Sequence, residues 1–110
     1  MKNIKKYKII ITTSNSIQDI QSIRDKLLLK KISPCIQIIN NIESSYIWKD
    51  EIVLENEVMI LIKADSKHES LVVAEIEKHH SYDTPEIISY DFEILSDKYK
   101  KWFDGNIKNK

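Results

Sequence analysis

Two extended runs, CIQIINNIESSYIW (35–48) and EIVLENEVMILIKA (51–64), flank the dipeptide Lys49-Asp50. Their β-branched and aromatic content marks both as strands, and so short a spacer joins antiparallel neighbours into a hairpin. Each arm of about 14 residues spans about 45 Å at roughly 3.3 Å per residue. A compact chain of this length has a radius of gyration of about 13 Å and a body only about 30 to 35 Å across. The arms must therefore overshoot the body, bend sharply, or both. Asn40 and Asn41 are the candidate bulge or bend, and Tyr46, Ile47 and Trp48 lie close to the tip. Large apolar side chains on a projecting hairpin need somewhere to dock, and a neighbouring copy of the chain is the economical partner.

The elements around the hairpin decide the fold class. Tyr7 to Thr13 reads as a first strand, after which Ile17, Ile20, Ile23, Leu27 and Leu28 recur at helical spacing. Ser16 and Asp19 stand at the separation of a capping pair, Lys30 and Lys31 occupy the cation-favouring end, and Pro34 stops the helix. The run Val58 to Ile62 is apolar at every position, which predicts a central strand covered on both faces. A second helix is expected from Ser66, with Glu69 completing a capping box and Val72, Val73 and Ile76 on one face. His68, near its start, reads as surface. Pro85 to Leu95 predicts a further strand, and Ser96 to Phe103 a short helix bearing Tyr99, Trp102 and Phe103. The order βαββαβ plus a terminal helix is that of the ferredoxin-like α+β sandwich, two helices on one face of an antiparallel sheet. The 110 residues suffice for a single domain, 1–110, with one core.

Charge and cysteine usage exclude several partners. Lys and Arg number 17 and Asp and Glu 17, so no net field draws the chain to nucleic acid or to an anionic membrane. Lysines cluster at both ends (Lys2, Lys5, Lys6, Lys8; Lys108, Lys110) and read as solubilising tips. A lone cysteine, Cys35, leaves no internal disulfide, and KYKIIITT is far shorter than a spanning helix. A reducing, cytoplasmic location is expected.

The segment HHSYDTPEI (79–87) carries the densest chemistry. On a helix, adjacent side chains point about 100° apart, so His79 and His80 cannot chelate one ion as an i, i+4 pair does. They make a site only where the helix end unwinds or a second subunit completes the shell. Otherwise a histidine in a last turn caps carbonyls and favours the dipole. Cys35 opens an apolar strand, where a free cysteine usually behaves as a small buried hydrophobe; its thiolate would suit Cu(I), but no second soft ligand lies near it in sequence.

Several motifs together resemble the CutA divalent-cation tolerance family. ESSYIWKDEIVLENEVMILIKA is similar to its S-x-Y-x-W hairpin, acidic turn and E-V-x-x-x-I-K strand, and HHSYDTPEI to its H-P-Y-x-x-P-E-I signature. KKISPCIQI is similar to K-x-L-A-A-C-x-x-I and YKKWF to Y-x-x-W-L, so the resemblance extends from Thr12 to Phe103. Ser81 replaces the family's proline, Asn40 and Asn41 its glycine, and Ile11 stands at or beside a first-strand cysteine that some bacterial members carry for copper. The resemblance implies a homotrimer with hairpins crossing between neighbours and a role in the response to metal ions. It further implies copper at the histidine pair, so that His79, His80 and Cys35 are the candidate metal ligands and copper or another divalent cation the expected ion. Lys63, Tyr82, Glu86 and Trp48 match positions that line the family's inter-subunit cleft. For Lys63 and Glu86 a plain ion pair between strand ends is the competing reading, and for Trp48 and Trp102 a packing role.

Two functions stand at this level. One is a non-catalytic trimer that binds divalent cations, or a small ligand in its clefts, and affects metal tolerance. The other is an enzyme, or a small-ligand regulatory trimer of the PII-like kind, using the same cleft with His79 or His80 as base and Lys63 as electrostatic stabiliser. The sole glycine is Gly105, so there is no glycine-rich phosphate loop, and no paired-carboxylate or serine–histidine–acid arrangement announces a reaction. Binding is favoured.

Overall fold

The computed structural model describes residues 5–109, so that Lys2 and Lys110 lie outside the described residues. The elements are β1 (Tyr7–Ser14), α1 (Ile17–Leu29), β2 (Cys35–Trp48), β3 (Glu51–Asp65), α2 (Glu69–His79), β4 (Ile87–Phe92) and α3 (Asp97–Asn106), with a 3-10 turn at Ser66–His68 leading into α2. The four strands form one antiparallel sheet in the order β2-β3-β1-β4, the α+β arrangement expected from the element order.

The helices begin and end for local reasons. Ser16 caps α1, its hydroxyl accepting the Asp19 N–H at 3.3 Å. Ile20, Ile23 and Leu27 form the buried stripe of α1, whereas Leu28 is exposed. Lys31, with φ 58°, turns the chain out of the helix before Pro34. At α2 the expected capping box is displaced. Asp65, not Ser66, caps the turn, its Oδ1 accepting the His68 N–H at 3.1 Å and meeting His68 Nδ1 at 2.5 Å. That contact draws the ring inward, so His68 is buried and not a surface residue. Its neighbour Lys5 reaches the other oxygen of Asp65 at 3.4 Å.

Ile10 and Thr12 of β1 and Ile60 and Ile62 of β3 share one face by the two-residue alternation of strands, and they are fully buried with Ile20, Ile23, Leu27, Val72 and Ile76. Met59 and Leu61, pointing the other way, are only half-buried, so the apolar run of β3 is covered on one face in the single chain. β4 is shorter than the expected Pro85 to Leu95. Its ladder with β1 runs only from Thr12–Ile87 to Tyr7–Phe92, where β1 itself begins. At that end α3 docks through Phe103, fully buried, whose ring meets Tyr7 edge-on at 5.4 Å.

The hairpin leaves this body. The molecule measures 51 × 26 × 22 Å, with a radius of gyration of 15.1 Å against about 13 Å for a compact chain. Ile39 pairs with Met59 but Ile42 with Glu57, so Asn40 and Asn41 together oppose Val58 in a bulge, with Asn41 in the left-handed region at φ 59°. At the tip Lys49 and Asp50 both have positive φ, 50° and 65°, as a type I′ turn requires. The row that sinks Ile60 and Ile62 into the core continues past the helices as Leu54 and Ile52, which are 66% and 81% exposed. Ile47, paired with Ile52 across the hairpin, extends this uncovered strip.

Removing the Phe103 ring leaves a cavity between α3 and β1. Phe103→Ala is expected to cost about 3 to 5 kcal/mol in urea denaturation; an unchanged midpoint would mean that α3 is not part of the core.

Candidate functional site

The segment between α2 and β4 is held by side chains from three other elements. His80 ends α2 as its C-cap and is buried. Its Nε2 donates to the Thr13 carbonyl at 2.8 Å and its Nδ1 accepts the Tyr82 N–H at 3.1 Å, an assignment of the tautomer fixed by those partners. Asp19 of α1 binds the next residue twice. Its Oδ2 accepts the Ser81 N–H at 2.9 Å and the Ser81 hydroxyl at 2.6 Å, and the Ser14 hydroxyl at 2.9 Å as well. Burial alone would raise the Asp19 pKa, but these hydrogen bonds outweigh it and hold the carboxyl below the usual aspartate value of 3.8.

Tyr82 then reaches across to the hairpin. Its hydroxyl donates to Glu57 Oε2 at 2.6 Å and accepts the Asn15 N–H at 2.9 Å. Burial, followed by the bond to Glu57, pushes the Tyr82 phenol well above the ordinary tyrosine value. Beside it Glu55 accepts from the Tyr46 hydroxyl at 2.7 Å and from Asn15 Nδ2 at 2.8 Å. Between the loop and the hairpin these side chains leave a cavity of about 660 Å³, to which Trp48, Asp83 and Glu86 also contribute.

Of the four residues expected in a cleft, Tyr82, Glu86 and Trp48 meet in this cavity and Lys63 does not. The expected ion pair between Lys63 and Glu86 is also absent among the described residues. β3 and β4 both run antiparallel to β1 and hence parallel to each other, so the end of one and the start of the other lie at opposite ends of the sheet. Lys63 instead stands opposite Cys35, Nζ 4.0 Å from Sγ.

The three candidate metal ligands do not converge within the chain. Both ring nitrogens of His80 are occupied, and Cys35 sits with Lys63 at the level of Ile9 whereas His80 binds Thr13, about four strand positions or 13 Å away. His79 turns to Glu75, one turn back on α2, with Nε2 3.4 Å from Oε1. Neither of those buried atoms makes a hydrogen bond. The second oxygen of Glu75 is held by Lys30, which with Lys78 and His79 lowers the Glu75 pKa against the opposing effect of burial. Among the described residues no three His, Cys, Asp or Glu side chains cluster as a metal-binding group.

Asn15, Glu55, Glu57 and Glu75 were not singled out from the sequence, and Asp19 only as a capping residue. Glu55 and Glu57 had a legible signal, because they alternate on β3 and face Ser44 and Ile42 once the bulge is counted. Asp19 had none beyond its capping position.

The model of the family described as CutA1 divalent ion tolerance protein matches residues 8–106. The chain belongs to the CutA1 family. The CutA1 structure from Ehrlichia chaffeensis is 32% identical and superposes with a TM-score of 0.84 over 94% of this chain and 96% of that one. A CutA structure from Archaeoglobus fulgidus, described as periplasmic, is 27% identical with a TM-score of 0.86 over 93% and 99% of the two chains. The divalent-cation tolerance protein CutA of Pectobacterium atrosepticum is 24% identical over 100 residues, 91% of either chain. Among the described residues no helix is long and apolar enough to cross a membrane.

Asp19→Asn tests the junction. A folded-state pKa below the ordinary value means the carboxylate contributes stability above pH 3.8, and that this contribution is lost as the pH falls through the lowered value. The variant is expected to be about 1 to 3 kcal/mol less stable than the parent at pH 7 by urea denaturation, with the gap closing in acid. A gap independent of pH would show that the charge plays no part.

Proposed function

We propose that the chain acts as a cytoplasmic homotrimer in the response to divalent cations, binding ions without catalysing a reaction on them. Membership in a divalent ion tolerance family supports the functional class, and the lone cysteine supports the reducing compartment. The observation that carries the assembly is the strip of Ile47, Ile52 and Leu54 on the hairpin beyond the last helix. A projecting pair of strands with an exposed apolar row is stabilised when other copies cover it.

Copper is the proposed ion, and the residues that fit it are fewer than the sequence suggested. The Nε2 of His79 and Oε1 of Glu75, which face each other at 3.4 Å without a hydrogen bond, sit one helical turn apart, a spacing at which an imidazole and a carboxylate can share an ion. They form one edge of a site, to be completed by a neighbouring subunit. His80 serves the loop instead. The cavity beside Tyr82 supports a second reading, a regulatory or catalytic trimer that takes a small ligand at this cleft.

Light scattering is expected to return about three times the monomer mass of 13.0 kDa, and a monomer would overturn the assembly. Trp48→Ala, at the hairpin end, is expected to shift trimer dissociation to higher protein concentration, since the ring, half-exposed in the single chain, would be buried only in the assembly, and truncating a buried aromatic costs about 3 to 5 kcal/mol. Calorimetric copper titration is expected to lose at least about tenfold in affinity with His79→Ala or Glu75→Gln, each removing a ligand. His80→Ala is expected to loosen the fold and leave copper affinity within about threefold of the parent. Copper binding lost with His80→Ala and kept with His79→Ala would overturn the assignment.

A further inference from the structure

The cavity between hairpin and loop has an unusual lining. Four carboxylates border it, Glu55, Glu57, Asp83 and Glu86, and among the described residues no lysine, arginine or histidine does. Glu57 is only 5% exposed, yet among the described residues no cation pairs with it. Its Oε2 accepts from the Tyr82 hydroxyl, and among the described residues no donor reaches its Oε1, which stays open to the cavity. A buried carboxylate is costly unless a positive charge or further donors compensate it. Glu55 differs, with Tyr46 and Asn15 each satisfying one oxygen.

We propose that this cavity is a binding site for an organic cation, an ammonium group on a small organic body, with the charge seated at Glu57 and the body against Trp48 and Tyr46. A bare metal ion fits the observations less well. The carboxylates ring the cavity and do not close into a group of three that could ligate one ion. The volume of about 660 Å³ matches small-molecule pockets and far exceeds the space of one hydrated site. Aromatic faces supply the remaining wall, and a cation above an aromatic ring is attracted by its quadrupole. A protonated amine also brings N–H donors, which the free oxygen of Glu57 lacks. The proposal rests on reading this cleft as a binding site of the trimer, but not on the copper assignment, because His79 and Glu75 do not line the cavity.

Calorimetry on the full chain, with spermidine and with choline as probes and magnesium chloride as the control at matched ionic strength, tests it. Saturable binding of at least one organic probe is expected. Preference for spermidine would identify a protonated amine as the ligand group, and preference for choline a quaternary one. Glu57→Gln is expected to weaken binding about tenfold or more, as loss of a charge-assisted hydrogen bond does. Glu86→Gln alters an exposed carboxylate and is expected to weaken binding severalfold, so it decides the matter where Glu57→Gln disturbs folding or assembly. His79→Ala is expected to leave spermidine and choline binding unchanged. Absence of binding by both probes, displacement of the bound probe by magnesium at equal charge, or parent-like affinity in both glutamate variants would overturn the proposal. A lysine of a neighbouring copy seated on Glu57 in the assembled trimer would overturn it too. Probe binding without copper binding would overturn the copper reading alone, and copper binding without probe binding this one alone.

Discussion

One strand serves two environments, and the rest of the molecule is arranged around that division. β3 is 15 residues long, but only its second half lies beneath α1 and α2. Ile60 and Ile62 there are sealed from water, whereas Ile52 and Leu54, on the same face by simple alternation, are open. The hydrophobic gain that fixes the register of the inner half is therefore available to the outer half only through another surface. Because β2 pairs with β3 along its whole length, it inherits the same division, and the aromatic residues of the hairpin end travel with it.

The join between the two environments is polar. Thr13 and Ser14 end β1 where the helix-covered region stops, Asn15 follows them, and each is used. Thr13 receives His80, Ser14 donates to Asp19, and Asn15 bonds both Tyr82 and Glu55. The loop after α2 is thus bound to the end of the central strand on one side and to the hairpin on the other, without glycine and with one proline. Its backbone is fixed by side chains, which is why a segment so rich in titratable groups holds a defined cavity wall.

Much of this was legible in the sequence where local chemistry decides. The alternation and length of the two hairpin runs foretold the projection, and the Asn40–Asn41 pair foretold the bulge, because asparagine tolerates the left-handed backbone that Asn41 adopts. The less legible features were those that depend on where strands lie relative to one another. Lys63 and Glu86 look adjacent on paper as an end and a beginning, but the order β2-β3-β1-β4 sets them at opposite ends of the sheet. His79 and His80 look like a pair, but the helix ends between them and sends one ring to Glu75 and the other into the Thr13 carbonyl. His68 and Asp65 show the smallest such displacement, a cap moved by one residue that carries a histidine from the surface to the interior.

The bulge has a consequence for how this chain can change length. Downstream of Asn40 and Asn41, Ser44, Tyr46 and Trp48 face the cavity, and Ile47 stands on the opposite side with Ile52. A single-residue deletion at the asparagines would straighten the ladder and leave Ile42 opposite Glu57, so every later side chain of β2 would keep its partner and its face. Loss of both asparagines would instead slip the register by one, so that serine, tyrosine and tryptophan would trade places with the isoleucine, and the cavity and the apolar strip would be lost together. At this point of the gene, loss of one codon removes a bend, whereas loss of two turns the outer half of the strand inside out.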